Sequence, residues 1–487
     1  MRRRRGRNRR CSTILHRDTQ STLAIPSCPG CTDSMNPSAR RCCLSSFLLL
    51  AAFQTWPLAP RPLLASEPAD ERAAGNASSP VAPDTPLPET GLVSADLASF
   101  DELMRSFLQE HEIPGAALAV AKEGRVVYAR GFGYADRERQ RPVEPHALFR
   151  IASVSKPITA MAVLRLVDQG VLTLDQPVLE LLPHQAHLPE GRSQDPRLSD
   201  ITIRHLLQHT AGWDRDVSID PMFHSLEIAS ALGTPPPATP DNIVQFMLGW
   251  PLDFAPGDRH AYSNFGYCLL GRVIEQVSGM GYEQYVREQL LAPLGISSMQ
   301  VGQTLESQQA PGEVRYELPR ERFAFGVTGD QLGRRVPRPY GAWSLEAMDS
   351  HGGWIASAID LVRFGSAVDR WQDSHLLSAE SIAAMVARPE GSAGHEEDGS
   401  GKPVYYGLGW MVRHVDDEGG LNLWHNGRFD GASSLLVLRH DGLCWAALFN
   451  TSATPDGQAP AGKLDSLLHR AANAVEHWPE HDLSAQD

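Results

Sequence analysis

The chain has 487 residues, 42% hydrophobic and 21% charged, with a formal net charge of -14 at pH 7. That share of apolar residues supplies a full core, which excludes a disordered chain, a collagen-like chain and a small disulfide-stapled domain. Eleven Arg and two Asp lie in residues 1–65, so the rest of the chain carries 33 basic and 56 acidic side chains. This acidic body argues against nucleic-acid binding, which needs a basic surface to neutralise phosphates.

The basic head is predicted to be an export device. Two arginines at 40–41 precede an apolar run over 44–53, and small residues up to Ala65 complete the pattern of a cleavable signal peptide. The run is too short for a permanent membrane span. Residues 1–34 are either an unusually long leader or the product of an upstream start codon, and we favour the second interpretation, with Met35 as initiator. The chain is therefore expected to be exported to the periplasm or the extracellular space.

Five of the seven cysteines lie in this head, including a C-x-x-C pair at Cys28 and Cys31. The pair has no second pair of ligands and precedes the export signal, so we predict neither a metal site nor a redox site there. HExxH, P-loop and EF-hand patterns are absent from the sequence, which gives no support for a metal or any other cofactor. Cys268 and Cys444 lie in apolar segments where packing is expected, and whether they form a disulfide stays open.

Hydrophobic periodicity and turn residues predict the secondary structure of the remaining chain. The predicted elements, in chain order, are a helix over 93–110, strands over 116–121 and 125–131, a helix over 153–167, an amphipathic helix around 269–277, strands over 421–425, 433–439 and 443–450, and a helix over 463–475. Gly279 is expected to stop the amphipathic helix.

This order predicts an α+β fold, in which one antiparallel sheet is completed by both ends of the chain and flanked by N- and C-terminal helices. A mostly helical second lobe is expected between the two ends. The leader (1–65) and a proline-rich linker (66–92) precede a sheet lobe of residues 93–156 and 346–480 and a helical lobe of residues 157–345. Binding and catalytic sites commonly lie where two such lobes meet.

A lysine in an apolar segment is conspicuous, because the chain has only four lysines beside forty arginines. Lys156 follows Ser153 by three residues at the start of a predicted helix, so the two side chains share one helix face. A partly desolvated amine loses its proton near neutral pH and can activate a serine hydroxyl. Ser155 is an alternative nucleophile, but its side chain would lie about 200° round the helix from Ser153. An N-capping serine beside a solvated lysine is the alternative without chemistry.

Two further motifs supply candidate partners. Tyr262 and Asn264 stand in a loop entering the amphipathic helix, where a tyrosine can relay a proton and an asparagine can orient an amide or hold a lysine. A core tyrosine and an N-capping asparagine are the structural alternative. His425 and Gly427 end a predicted strand, and the glycine is expected to leave room for a substrate backbone. A single histidine at a strand end is more often structural.

Together, Ser153-Val154-Ser155-Lys156, Tyr262-Ser263-Asn264 and His425-Asn426-Gly427 resemble, in order and spacing, the motifs of the serine β-lactamase and penicillin-binding-protein superfamily. Tyr in the second motif and His in the third resemble the class C β-lactamase-like branch, with its D,D-carboxypeptidases, family VIII esterases and D-aminopeptidases. Further stretches, such as Tyr406–Trp410, look like the same branch. The resemblance covers residues 93–475, essentially the whole predicted domain.

The resemblance implies a β-lactamase/transpeptidase-like fold and three catalytic residues. Ser153 would be the nucleophile, Lys156 would assist its deprotonation, and Tyr262 would relay the proton to the leaving group. The reaction would be a double displacement through an acyl-Ser153, with water as the usual second acceptor.

The resemblance also implies four substrate-binding residues. Asn264 would steady the lysine and the substrate, His425 and Gly427 would line the opposite edge of the cleft, and the backbone N–H of Arg428 would complete an oxyanion hole with that of Ser153. Dedicated class C β-lactamases usually have Lys where His425 stands, and a neutral histidine cannot hold a drug carboxylate. The side chain of Arg428 is an alternative carboxylate partner.

Three functions therefore compete. The leading hypothesis is an exported serine hydrolase that cleaves a small ester, amide or D-amino-acid peptide; the second is a class C-type β-lactamase. The third is a non-catalytic penicillin-binding or scaffold protein, against which the intact serine, lysine and tyrosine weigh. His209 is expected to support the fold, and the region 214–240 is expected to border the cleft. The sequence leaves the oligomeric state open.

Overall fold

The computed structural model of the protein describes residues 86–183, 185–415 and 420–485. The predicted signal peptide, the five cysteines of the head and most of the predicted linker lie outside these residues. No helix among the described residues combines the length and the hydropathy needed to cross a bilayer.

The strands form one large antiparallel sheet and two small sheets. The large sheet takes its strands from both ends of the described chain. In chain order they are β1 (Glu89–Gly91), β2 (Gly115–Lys122), β3 (Arg125–Asp136), β4 (Arg141–Pro142), β5 (Phe149–Arg150), β6 (Gln300–Val301), β7 (Phe323–Phe325), β8 (Arg335–Pro337), β9 (Trp354–Ala356), β10 (Val404–Tyr406), β11 (Met411–His414), β12 (Leu421–Phe429), β13 (Ala432–Leu438) and β14 (Leu443–Phe449). The large sheet runs in the order β1-β3-β2-β14-β13-β12-β11-β10, and β4 also pairs with β3. This arrangement confirms the predicted fold class.

Most helices lie between β5 and β10 in the sequence. In chain order the helices are α1 (Ala98–Glu110), α2 (Ser155–Asp168), α3 (Val178–Leu181), α4 (Ile203–Leu207), α5 (Ser225–Leu232), α6 (Pro240–Met247), α7 (Asn264–Ser278), α8 (Tyr282–Val286), α9 (Ala358–Asp369), α10 (Trp371–Ser374), α11 (Ala379–Val386), α12 (Gly391–Gly394) and α13 (Pro460–Asn473). The Ser263 side chain caps α7 by accepting the N–H of Gly266, and Gly279 ends it in the left-handed conformation.

Apolar side chains on both faces of the sheet explain why its central strands lack an alternating pattern. Along β2, Leu118 and Val120 pack with α1 and α13, whereas Ala117 and Ala119 face α2, α9 and the helical region. Successive residues of a strand point to opposite faces, so a strand covered on both sides is apolar throughout. The helices α1 and α13 therefore cover one face of the sheet, and α2, α9 and the helical region cover the other.

The strand β12 has a free edge that faces the helical region. Its neighbour β11 pairs only with Leu421–Trp424, so the edge from His425 to Phe429 has no partner strand. On its other side, β12 is paired with β13 as far as Phe429. A peptide-like substrate can therefore lie along this edge and use its unpaired backbone groups.

Two details differ from the sequence-based expectations, and one question that the sequence left open is answered. β1, at 89–91, pairs with β3 inside the range predicted as linker. β12 continues to Phe429 because pairing with β13 carries the strand through Asn426-Gly427, which resembles a turn in isolation. Cys268 and Cys444 are both buried and free, so they form no disulfide.

Candidate active site

The candidate nucleophile stands on a tight turn between β5 and α2. Ala152–Val154 form a 3-10 turn and α2 begins at Ser155, two residues later than predicted. Ala152 has a φ of 48°, in the left-handed region, at a cost of about 1–2 kcal/mol for a residue with a Cβ. Strain of this kind is often found where the backbone presents a reactive group. Ser153 is half-buried between two buried neighbours, so the turn presents its hydroxyl to the cleft.

Lys156 is completely buried beside this hydroxyl. Its Nζ lies 3.2 Å from Ser153 Oγ, 2.8 Å from Asn264 Oδ1 and 2.9 Å from the carbonyl oxygen of His351. Burial is the main cause that lowers the pKa of Lys156 well below its ordinary value. Burial therefore favours the uncharged form of the amine.

The three contacts of this neutral amine assign its hydrogens. An amine without charge has two N–H donors and one lone pair. The amide oxygen of Asn264 and the carbonyl of His351 only accept, so they take both donors. The lone pair of Lys156 is left for the hydroxyl of Ser153, which makes the amine a base aimed at that hydroxyl.

Tyr262 approaches the same hydroxyl from another side. Its side chain interacts with that of Ser153, and its ring centre lies 4.7 Å from Lys156 Nζ. Burial raises the pKa of Tyr262, although the interaction with Ser153 and the charge of Arg215 oppose the shift. The phenol is therefore protonated at neutral pH and can donate. The amine can accept a proton and the protonated phenol can donate one. Two such groups around one hydroxyl are what acid–base catalysis requires.

His209 holds the loop on both sides of Tyr262. Its carbonyl oxygen accepts the N–H of Ala261 at 2.8 Å, and its ring Nδ1 accepts the N–H of Ser263 at 3.2 Å. The ring centres of His209 and Tyr262 are 4.3 Å apart. Burial lowers the pKa of His209 well below its ordinary value, so the ring stays a neutral acceptor. The histidine expected only to support the fold thus fixes the position of the phenol.

Two charged residues that no sequence motif marks complete the site. Asp220 Oδ2 accepts the amide N–H of Asn264 at 2.7 Å, which turns the amide oxygen towards Lys156. Arg215 lies 3.8 Å from the Asp220 carboxylate, and its guanidinium carbon lies 4.8 Å from the ring centre of Tyr262. Both residues belong to the region 214–240, which the sequence predicted to border the cleft, but nothing in that stretch distinguished them from other loop residues.

His425 is buried on β12 and is neutral. Its Nε2 lies 3.0 Å from Tyr406 Oη, and its Nδ1 lies 2.7 Å from the carbonyl oxygen of Asn426. The carbonyl only accepts, so Nδ1 carries the hydrogen and Nε2 accepts from Tyr406. Burial lowers the pKa of His425 to about 3. The residue cannot supply the positive charge that a lysine would supply at this position.

The strand β12 passes so close to the nucleophile turn that position 427 has no room for a side chain. A Cβ on Gly427 would lie 2.2 Å from the carbonyl oxygen of Ile151 and 2.9 Å from the backbone N of Ser153. The motif predicts substrate backbone at this point, whereas the structure places the protein's own turn there. Gly427 therefore sets the distance between the free edge of β12 and Ser153.

Arg428 lies next along this edge. Phe429 and Ala432 close a two-residue hairpin turn and form a hydrogen-bonded pair, so the N–H of Arg428 points away from β13 to the free edge. The side chain of Arg428 is exposed and donates to the carbonyl oxygen of Gly457 at 3.2 Å. The backbone N–H of Arg428 thus faces the free edge of β12. Its guanidinium is hydrogen-bonded to Gly457 and not to Ser153.

Direct hydrogen bonds join three predicted site residues, Ser153, Lys156 and Asn264, and the Tyr262 side chain interacts with Ser153. Gly427 packs against the turn of this cluster. In the described part of the chain, no group of three or more His, Cys, Asp or Glu side chains is arranged to hold a metal ion.

Comparison with known proteins gives consistent matches. A family model described as Beta-lactamase matches residues 100–468. The esterase EstB of Burkholderia gladioli is 32% identical over 354 residues, which cover 67% of this chain and 82% of EstB. The octameric penicillin-binding protein homologue from Pyrococcus abyssi has a TM-score of 0.57 at 26% identity, over 77% of this chain and 78% of that structure.

A third match shows the fold alone. D-amino acid amidase from Ochrobactrum anthropi SV3, whose structure contains L-phenylalanine amide, has a TM-score of 0.58 at 22% identity. The alignment covers 78% of this chain and 99% of the amidase.

Proposed function

The chain belongs to the beta-lactamase family and is a serine hydrolase, and we propose that it cleaves an ester or amide bond of a small molecule through an acyl-Ser153 intermediate. The observation that carries this proposal is the geometry around the Ser153 hydroxyl. A buried lysine, whose uncharged form burial favours, lies 3.2 Å away, and a protonated tyrosine interacts with the same group. The similarity to the esterase EstB supports an ester as one substrate class.

The first half of the reaction forms the acyl-enzyme. Lys156 takes the hydroxyl proton as Ser153 Oγ bonds to the substrate carbonyl carbon, and the carbonyl oxygen becomes an oxyanion. The backbone N–H groups of Ser153 and Arg428 receive that charge. When the intermediate collapses, Tyr262 protonates the departing alkoxide or amine and regains a proton from the Lys156 ammonium. Water then attacks the carbonyl carbon of the acyl-enzyme, and the same proton transfers run in reverse. This step releases the acid and restores Ser153.

The test of this mechanism compares two serines. We expect Ser153→Ala to lower kcat for short-chain p-nitrophenyl esters by about 1,000-fold or more, because the nucleophile is lost. Ser155→Ala is the matched control, since Ser155 is buried and, among the residues that the structure describes, its Oγ accepts only the N–H of Trp354, at 3.4 Å. Turnover is measured with purified residues 66–487. Unchanged turnover in Ser153→Ala, or an equal loss in Ser155→Ala, would remove Ser153 from the mechanism.

β-Lactamase activity is less well supported. The neutral His425 offers no charge for a drug carboxylate, because burial lowers its pKa to about 3. A scaffold without catalysis is also disfavoured, since it has no need for a buried, uncharged lysine beside a serine. Burying an ionisable amine costs free energy that selection tolerates where the amine does chemistry.

Export remains part of the proposal. It rests on the signal-peptide pattern at 35–65, which ends at Ala65. When the whole coding sequence is expressed with its own leader, we expect the exported protein to begin at Ser66. N-terminal sequencing of that protein checks the cleavage site, and an intact chain retained inside the cell would contradict export.

A further inference from the structure

A groove of about 740 Å³ opens at the end of β12, beside the candidate site. It starts at Arg428, the residue after Gly427, and continues around the hairpin turn. Its apolar wall consists of three aromatic side chains, Phe223, Trp343 and Phe429. The ring centres of Trp343 and Phe429 are 5.9 Å apart, and those of Phe223 and Trp343 are 6.2 Å apart. The three rings therefore form a continuous wall.

Four arginines also line this groove. They are Arg320, Arg322, Arg338 and Arg428. Asp430 compensates two of them, since its carboxylate lies 2.5 Å from Arg338 and 3.9 Å from Arg322. Within the described ranges, no carboxylate lies within ion-pair distance of Arg320 or Arg428. The other acidic residue of the groove, Asp456, pairs with Lys463 at 2.7 Å. Two guanidinium groups thus face the groove without a carboxylate partner.

This local charge is opposite to that of the whole protein, whose formal net charge is -14. A negative protein repels anions in general, so arginines gathered at one groove create a local site where an anion is favoured. A guanidinium presents a planar fork of N–H donors that matches a carboxylate in two hydrogen bonds. The groove therefore suits a ligand with an apolar chain that ends in a carboxylate.

The orientation of the candidate site decides which part of a substrate reaches the groove. Tyr262, the proposed acid, must lie beside the leaving group. Its ring centre is 6.4 Å from that of Tyr406, which is hydrogen-bonded to His425 at the beginning of the free edge. The leaving group therefore lies towards His425, and the acyl chain extends the other way, past Arg428 and towards Phe429.

Building on the proposed function, we propose that this groove binds a carboxylate on the acyl part of the substrate, so that the enzyme prefers monoacyl esters or amides of short dicarboxylic acids. The aromatic wall contacts the methylene chain. Arg428 and Arg320 bind the terminal carboxylate.

The test measures binding apart from turnover. Ser153→Ala protein is titrated calorimetrically with glutaranilic acid and with the neutral valeranilide, which has a similar chain without the carboxylate. We expect glutaranilic acid to bind at least about tenfold more tightly at low ionic strength, and the difference to shrink as salt rises. Adding Arg428→Gln and Arg320→Gln should abolish the preference.

Arg287→Gln is the control for general electrostatics, because Arg287 is exposed on a different surface and pairs with Glu283. It should leave the preference unchanged. Equal affinity for the two anilides, or an equal loss of preference in Arg287→Gln, would overturn the proposal. In active protein, the kcat/KM ratio of mono-p-nitrophenyl glutarate to p-nitrophenyl valerate should fall about tenfold in the double variant. Failure of the Ser153→Ala test would refute the catalytic proposal, while the calorimetric comparison would still decide the groove.

Discussion

Lys156 and Tyr262 are held in opposite roles by the same physical cause. Burial disfavours the charged form of each group, so it lowers the pKa of the lysine and raises that of the tyrosine. The result is an uncharged base and an uncharged acid on either side of the Ser153 hydroxyl. The guanidinium of Arg215 lies over the Tyr262 ring and opposes the rise in its pKa. With His425 neutral, this arginine provides a positive charge that position 425 does not.

Lys156 also makes stability depend on pH. Between its lowered pKa in the folded state and its ordinary value near 10.4 when unfolded, the unfolded chain binds one more proton, so the free energy of unfolding rises with pH. Relative to Lys156→Met, wild-type protein should therefore gain up to about 1.4 kcal/mol per pH unit as the pH rises through the range between these two pKa values. Urea unfolding of both proteins across this range measures the difference. A difference that does not change with pH would show that Lys156 is charged in the folded state.

The approach of β12 to the nucleophile turn links the sheet to the helical region. Gly427 packs directly on the turn, and on the neighbouring strand Ser434 Oγ donates to the carbonyl oxygen of Ile151 at 2.6 Å. The two strands thus hold both ends of the strained turn at Ala152. Because backbone contacts cannot shift as a flexible side chain can, this contact determines where Ser153 lies relative to the N–H of Arg428.

A methyl group at position 427 should therefore damage catalysis. Gly427→Ala would place a Cβ 2.2 Å from the Ile151 carbonyl oxygen, so the strand or the turn must move. We expect kcat/KM for p-nitrophenyl esters to fall about 100-fold, as for a displacement near 1 Å in a site, and stability to fall by about 1–3 kcal/mol. Gly462→Ala is the control, because no atom lies within 4 Å of its added Cβ. Equal activity in the two variants would contradict this account.

Both ends of the described chain contribute to one sheet, so its N-terminal boundary affects the stability of the whole domain. β1 pairs with β3 over three residues. Glu89 also forms ion pairs with Arg105 at 2.7 Å and with the buried Arg130 at 3.3 Å. Arg130 in turn donates to the carbonyl oxygen of Thr90 at 3.1 Å. The stretch predicted as a solvated linker therefore ends inside the folded domain.

Truncation can test this boundary. A chain that begins at residue 93 lacks β1 and leaves Arg130 with only Asp101 as an acidic partner in the described structure, at 2.7 Å. We expect it to be about 2 kcal/mol less stable than a chain that begins at residue 86, through lost hydrogen bonds to a buried charged group. Thermal unfolding of both chains measures the difference. Equal midpoints would mean that β1 adds nothing to the fold.

Much of the architecture could be predicted because local patterns decide it. The helix predicted over 93–110 is α1, which follows a 3-10 turn at Ala95–Leu97, and the amphipathic pattern ending at Gly279 is α7. Strand limits were less accurate, since β12 continues through Asn426-Gly427 only because β13 pairs with it. The short strands β6, β7 and β8 within the predicted helical lobe were not predicted, because strands of two or three residues carry too few side chains for a pattern.

The sequence alone determined the family, the candidate nucleophile and its lysine, because a serine and a lysine three residues apart meet through local helix geometry. Only the tertiary structure decided which groups surround them. Asp220, Arg215 and His209 approach from loops distant in sequence, and burial, which sets the charge of Lys156 and His425, is a property of the assembled core. Protonation and the arginine-lined groove depend on distances between remote segments, which local sequence patterns do not encode.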